Sequence, residues 1–159
     1  MAGPSLANPF FVFQLQRCFR QTTLARRLFE ELGGADHCCY LFHDSYYKDI
    51  SHKTFEERAQ TNFDHPHSLD TELLLHHLKA LKRGEDVSIP TYDFSTHSRT
   101  DVCIDMQPKK IIIVEGILIF TNADLAGEMD VKVFVVSSAE MGRGGRWTPF
   151  VSHTMVSSW

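Results

Sequence analysis

Residues 111–114 read Ile-Ile-Ile-Val, four β-branched side chains in a row with no polar alternation. Successive side chains of a strand point to opposite faces, so a strand that is apolar at every position must be covered on both sides. That is the setting of an inner strand in a parallel sheet layered between helices. Shorter apolar runs at 9–13 (PFFVF), 38–42 (CCYLF) and 131–136 (VKVFVV) are the other strand candidates. Between the first two lies TTLARRLFEEL (22–32), where Leu24, Leu28 and Leu32 recur at helical spacing and Gly33-Gly34 closes the stripe. Strand, helix, strand in this order predicts a right-handed parallel βαβ unit.

The stretch 45–70 is polar and irregular, and a loop of that length in a small domain is usually functional or mobile. Residues 70–83 (DTELLLHHLKALKR) form a predicted helix, capped by Asp70, striped by Leu74, Leu78 and Leu81, and stopped by Gly84. Residues 87–106 alternate short β-like pieces with polar turns, which suggests a small antiparallel excursion. A short helix is expected within 118–125. After Glu140 the composition shifts to MGRGGRWTPFVSHTMVSSW, without period of either kind. The expected organisation is one α/β domain over 1–140 and a disordered tail over 141–159.

With 159 residues there is room for a single domain with a real core. The formal net charge of −4 and the lack of a long basic block argue against a duplex nucleic-acid partner. No apolar run approaches membrane-spanning length and no charged leader precedes one, so cytoplasmic residence without a membrane partner is the default. Cys18, Cys38, Cys39 and Cys103 include no C-x-x-C pair, and adjacent Cys38 and Cys39 read as small buried hydrophobes on opposite strand faces.

Two strands end in carboxylates: Asp44 follows CCYLFH and Glu115 follows IIIV. In an open parallel sheet, ligands bind beyond the carboxyl ends of the strands, so both acids can face one crevice. One can neutralise a metal–phosphate charge while the other accepts a proton. The competing structural readings are a helix-capping acid for Glu115 and an Asx-turn for Asp44. Tyr92, Phe94 and His97 in YDFSTHSR combine ring faces with polar edges, as a slot for a planar base requires, although alternate aromatics also line ordinary strand cores. Asp64 in NFDHP is a candidate acceptor for a pair of sugar hydroxyls. The histidine pairs 65/67 and 76/77 match no zinc spacing and are expected to be solvated.

Taken together, DSYYKD (44–49), TNFDHP-x-x-x-D (61–70), P-x-YDFSTHSR (90–99) and IIIVEGIL (111–118) closely resemble the uridine kinase (uridine–cytidine kinase) family, over about residues 22–136. The motifs are separate and in the right order. The resemblance implies a P-loop NTPase-like fold, a parallel sheet flanked by helices, with the β excursion at 87–106 forming the nucleoside pocket. It implies transfer of the γ-phosphate of ATP or GTP to the 5′-hydroxyl of uridine or cytidine, with Mg2+. By motif, Asp44 looks like the general base and Glu115 like a magnesium ligand. Asp64 would hold the ribose; Tyr92, Phe94 and His97 the base, with Tyr47 nearby and Arg99 at the margin. Thr22 and Thr23 would be the phosphate-binding end of the loop, with Thr22 also on the metal. The resemblance leaves homo-oligomerisation open.

The chain departs from that pattern in two places. A phosphate-binding loop G-x-x-x-x-G-K-[ST] should precede Thr23, but the stretch is FQLQRCFRQTT, with Gln21 at the lysine position and no glycine between Gly3 and Gly33. Without glycines the backbone cannot readily turn successive N–H groups toward a phosphate. Loss of such an electrostatic contact is typically worth roughly 3–4 kcal/mol in the transition state. The hexapeptide at 16–21, QRCFRQ, is nevertheless compatible with a codon string that, read one base later, encodes Ser-Gly-Ala-Ser-Gly-Lys, so a frameshifted reading of an intact loop is one explanation. At the other end the family continues into an arginine-rich helix and lid that 141–159 do not match, as in a truncated splice form; Arg143 and Arg146 receive no role. Three readings therefore stand: an impaired kinase, a catalytically inactive nucleoside-binding or subunit-pairing protein, and a defective translation product.

Overall fold

The computed structural model describes the backbone of residues 10–15 and 21–135 and the side chains of residues 24–133. Four parallel strands form the main sheet: β1 (Phe10–Leu15), β2 (Cys38–Phe42), β5 (Ile111–Gly116) and β6 (Val131–Val135), in the order β2-β5-β1-β6. Helix α1 (Gln21–Glu31) is the crossover that joins parallel strands β1 and β2, and β5 lies between those two strands. The antiparallel hairpin β3 (Val87–Asp93) and β4 (Ser98–Met106) stands apart as a second sheet.

The β-branched run at 111–114 is covered as its composition demands. Ile112 and Val114 face a core built with Cys39 and Leu41 of β2 and with Leu74, Leu78 and Leu81 of helix α3 (Thr71–Lys82). Ile111 and Ile113 face the opposite core, with Ala25, Leu28 and Phe29 of α1. Burying one Ile or Leu side chain contributes about 1.5–3 kcal/mol, so the run at the sheet's centre anchors both layers. Cys38 and Cys39 are buried free thiols on opposite faces.

Asp70 caps α3 by accepting from the Leu73 N–H at 3.2 Å, and Gly84 ends it at φ +82°, a left-handed conformation that costs glycine nothing. Gly33 and Gly34, at φ +98° and +61°, do the same after α1. The expected helix at 118–125 is split into a 3-10 turn, Ile119–Thr121, and α4 (Ala123–Gly127), because Asn122 turns extended and caps the second piece through Leu125 N–H.

The region expected to be irregular, 45–70, holds more structure than its composition suggests. It contains α2 (Phe55–Ala59), opened by a capping box in which Thr54 Oγ1 accepts from Glu57 N–H and the Glu57 carboxylate accepts from Thr54 N–H. The T-x-x-E signature was present in the sequence; the helix is short enough that no apolar stripe accompanies it. The expectation of solvated histidines needs one correction. His77 is buried, and its Nδ1 lies 3.0 Å from the Tyr46 hydroxyl, because α3 turns that face onto the sheet. Residues 16–20 and 136–159, on which the phosphate-loop and tail expectations fall, lie outside the described residues. Among the described residues no helix is long and apolar enough to cross a membrane.

Candidate functional site

The carboxyl ends of β1, β2 and β5 converge on one edge of the sheet, and α1 starts from that same edge. Parallel register pairs Phe42 with Glu115 and Gln14 with Gly116. Asp44, two residues past Phe42 in the 3-10 turn His43–Tyr46, is therefore brought beside Glu115. Each carboxylate is mostly out of water: Glu115 retains 9% exposure, and Asp44 Oδ1 is sealed from solvent without a hydrogen-bond partner among the described residues. Burial first, and then the Glu115 charge, push the Asp44 carboxyl above the usual carboxylate range. A carboxyl raised in this way is a better proton acceptor than an ordinary aspartate when ionised.

Glu115 is held from below. Tyr40 lies on the same face of the sheet, and its hydroxyl donates to Glu115 Oε2. The Tyr40 ring is fixed against Phe29 of α1, with centroids 5.5 Å apart and edge to face, and against Phe42 at 4.6 Å. Burial and the neighbouring carboxylate push the Tyr40 phenol far up, so it remains a donor. On the other side of the edge Gly116 leaves room for His43: a Cβ at 116 would collide with the His43 Cβ. His43 is 1% exposed, its Nδ1 has no partner among the described residues, and burial lowers its pKa to about 4.

The second part of the site is a cluster of rings between the 43–47 turn, the 61–70 segment and the hairpin. Tyr47 packs against Tyr92 at 5.1 Å, Phe63 at 5.3 Å and Phe94 at 6.3 Å, while Phe63 stacks on His97 at 5.3 Å with a 19° interplanar angle. Phe94, 58% exposed, sits at the mouth. The hairpin turn is set by Asp93, whose carboxylate accepts from Ser95 N–H at 2.8 Å and from the Thr96 hydroxyl at 2.9 Å, and His97 takes φ +51° to close it. Arg99 ties the hairpin to the carboxylate turn: its Nε donates to Tyr47 O at 3.1 Å and its guanidinium reaches Asp70 Oδ2 at 3.4 Å. Asp64 is exposed beside Phe63, and its N–H is held by Asn62 Oδ1 at 3.1 Å.

Asp44 is thus beside Glu115, and the turn that carries Asp44 leads into Tyr47, which meets Tyr92, Phe94 and Arg99, with His97 joined through Phe63. Thr22 and Thr23 lie in the first turn of α1 at the same edge; their side chains are outside the described residues. Sequence reasoning passed over four contributors: Tyr40, His43, Phe63 and Arg58. The parity of Tyr40 with Phe42, the strand residue registered with Glu115, was the available signal for the first. For Arg58 it was the capping box of α2, since that helix lets Arg58 Nη1 donate to Thr96 O at 2.7 Å and brace the hairpin turn. A cavity of about 580 Å3 opens at the opposite edge of the sheet, lined by His37, Lys82 and Lys109 among others, away from both carboxylates.

A parallel sheet with a helix rising from the edge where two acids meet is the architecture of P-loop kinases. Residues 17–143 match the Phosphoribulokinase / Uridine kinase family. The chain is 45% identical over 121 residues to proteins described as uridine kinase from Staphylococcus aureus strains JH9 and Newman, an alignment that covers 76% of this chain and 58% of theirs. Among solved structures it superposes on a possible uridine kinase from Bacillus stearothermophilus with a TM-score of 0.64 at 20% identity, covering 84% of this chain and 73% of that one. The chain belongs to the phosphoribulokinase/uridine kinase family, and it spans a little under three-fifths of the length of the curated relatives it matches.

Proposed function

We propose that this chain binds a pyrimidine nucleoside and carries the acid–base half of a phosphotransfer site, moving the γ-phosphate of ATP or GTP to the 5′-hydroxyl of uridine or cytidine. The observation that carries this reading is the pairing of two mostly buried, mutually repelling carboxylates beside a cluster of aromatic rings. A hydrophobic core has no use for that arrangement, and each unpartnered buried polar atom costs about 1–3 kcal/mol unless a ligand completes it.

In this reading the base lies among Tyr47, Tyr92, Phe94 and His97, with Asp64 on the ribose hydroxyls. Asp44 accepts the 5′-hydroxyl proton as that oxygen attacks phosphorus. The acid pair suits a divalent cation: magnesium takes hard oxygen ligands and is held by one or two carboxylates together with phosphate oxygens. Glu115, with the Thr22 hydroxyl, would hold it, and the ion would neutralise charge on the transferring group. Thr22 and Thr23 at the start of α1 would meet the phosphates, where backbone N–H groups and the helix dipole favour an anion. Residence in the cytoplasm and homo-oligomer formation belong to the same proposal.

A second reading is favoured by Gln21, which opens α1 at the position of the family's loop lysine: nucleoside binding without turnover. One experiment separates the two. Uridine and cytidine binding is measured by calorimetry on the full chain, and UMP formation is measured with ATP and Mg2+. Binding with turnover supports the kinase, and binding without turnover supports the inactive binder. No binding of either nucleoside would sink both readings.

A further inference from the structure

We propose that Arg99 is a positioning residue for Asp44, fastening the turn that carries the acid to the hairpin that carries the rings. The inference rests on the reading of Asp44 as the proton acceptor and adds to it the group that sets its distance from the nucleoside.

The geometry begins with the hairpin register. Arg99 of β4 stands directly across from Tyr92 of β3, so the two side chains share one face. Tyr92 packs its ring on that of Tyr47, and Arg99 takes the backbone of the same residue. The guanidinium donates from Nε to Tyr47 O at 3.1 Å and from Nη2 to Tyr46 O at 3.4 Å. These carbonyls stand at the end of the single 3-10 turn His43–Tyr46, where helical hydrogen bonding runs out and outside donors are needed. Tyr46 O also accepts the Asp70 N–H at 2.7 Å, and Lys48 N–H donates to Ser68 O at 2.9 Å. Asp70 completes the clamp: its Oδ2 lies 3.4 Å from Arg99 Nη2 and 3.5 Å from Nη1, while its Oδ1 caps α3.

Arginine suits this task because its donors form a rigid planar fork, which can meet two successive carbonyls and a carboxylate together. The lysine ammonium is a single point of charge. The Arg99 side chain is only 20% exposed, so water competes little for its donors. No hydrogen bond holds Asp44 Oδ1 among the described residues, so the backbone of the turn has to place it. A reacting group displaced by about 1 Å can cost about 100-fold in rate. Arg99 thereby fixes the acid relative to the rings without itself touching the proton that moves.

Two variants of the full chain test the role. Arg99→Met keeps the apolar stem and removes every donor, whereas Arg99→Lys keeps the charge beside Asp70 and loses the fork. UMP formation with ATP and Mg2+ gives kcat, and calorimetry gives the uridine dissociation constant. Amide hydrogen exchange is followed by mass spectrometry over 43–48 and, as a control, over β5. In Arg99→Met, kcat should fall about 100-fold while uridine affinity stays within about threefold. Exchange over 43–48 should speed up about tenfold or more, as loss of charge-assisted hydrogen bonds to a local segment requires, with β5 unchanged. Arg99→Lys should lie between Arg99→Met and wild type in both readouts. In a wild type that binds uridine without turnover, faster exchange confined to 43–48 in Arg99→Met supports the clamp, and unchanged exchange overturns it. Unchanged kcat with unchanged exchange would overturn the role of Arg99 alone and leave the nucleoside reading in place. Exchange rising equally over 43–48 and β5 in both variants would also overturn it, since that marks a general loosening of the fold. A wild-type chain that binds neither uridine nor cytidine removes the nucleoside reading itself, and the role of Arg99 with it.

Discussion

His43 is sealed between β5 and the start of α3, and that burial makes the protein's stability depend on pH in a specific window. The imidazole titrates at about 4 in the folded chain against 6.5 when free, because burial disfavours the charged ring. A group whose folded pKa is depressed binds more protons in the unfolded state, so stability is complete above about pH 6.5 and is lost as pH falls toward 4. At about 1.4 kcal/mol per pH unit between the two titrations, the loss by pH 4 is roughly 3 kcal/mol. Small domains have only about 5–15 kcal/mol in total. Below pH 4 the ring is protonated in both states and the effect stops growing. His43→Gln isolates the contribution, since an amide still reaches toward Thr71 but never titrates. Urea unfolding of both proteins at pH 7.5, 6, 5 and 4 should show wild type losing about 3 kcal/mol more than the variant across that range. His77, also depressed by burial, is present in both proteins and cancels in the difference. A difference below about 1 kcal/mol would refute the argument, for it would mean that water reaches the unpartnered Nδ1.

On the proposed kinase reading, Asp44→Asn should lower UMP formation by about 100- to 10,000-fold while uridine binding stays within about threefold, as measured by coupled assay and calorimetry. The same variant should melt higher than wild type at pH 7. The Asp44 folded pKa is raised, so the stability it contributes is present only below the free value of 3.8 and is lost as pH rises through the folded titration. Gly116→Ala should destabilise by about 1–3 kcal/mol in chemical denaturation, because the new Cβ meets the His43 Cβ and neither backbone can retreat from the sheet edge. Tyr92→Phe should raise the melting temperature, by up to about 1–3 kcal/mol of stability, since it removes a buried hydroxyl with no hydrogen-bond partner among the described residues, and a loss above about 1 kcal/mol would reveal a partner.

The sequence by itself determined the layers. An uninterrupted β-branched run at 111–114, a helical leucine stripe at 24–32 and another at 74–81 can bury their apolar faces only as a parallel sheet between helices. Local chemistry also announced the ends of those elements, through Asp70 at the start of α3 and the positive-φ glycines at 33, 34 and 84. The motifs carrying Asp44, Asp64, Glu115 and the YDFSTHSR rings were legible for the same reason: a core needs none of their polar groups. Only the tertiary structure decided which residues support them. Whether Tyr40 reaches Glu115 depends on β5 pairing with β2 in one register, and a single-residue slip would turn the acid to the other face. His77 moved from solvent to the core because α3 docks with that face down. The short helix α2 is opened by a capping box that the sequence carries, but Arg58 reaching the hairpin is a contact between segments 38 residues apart that no local pattern encodes.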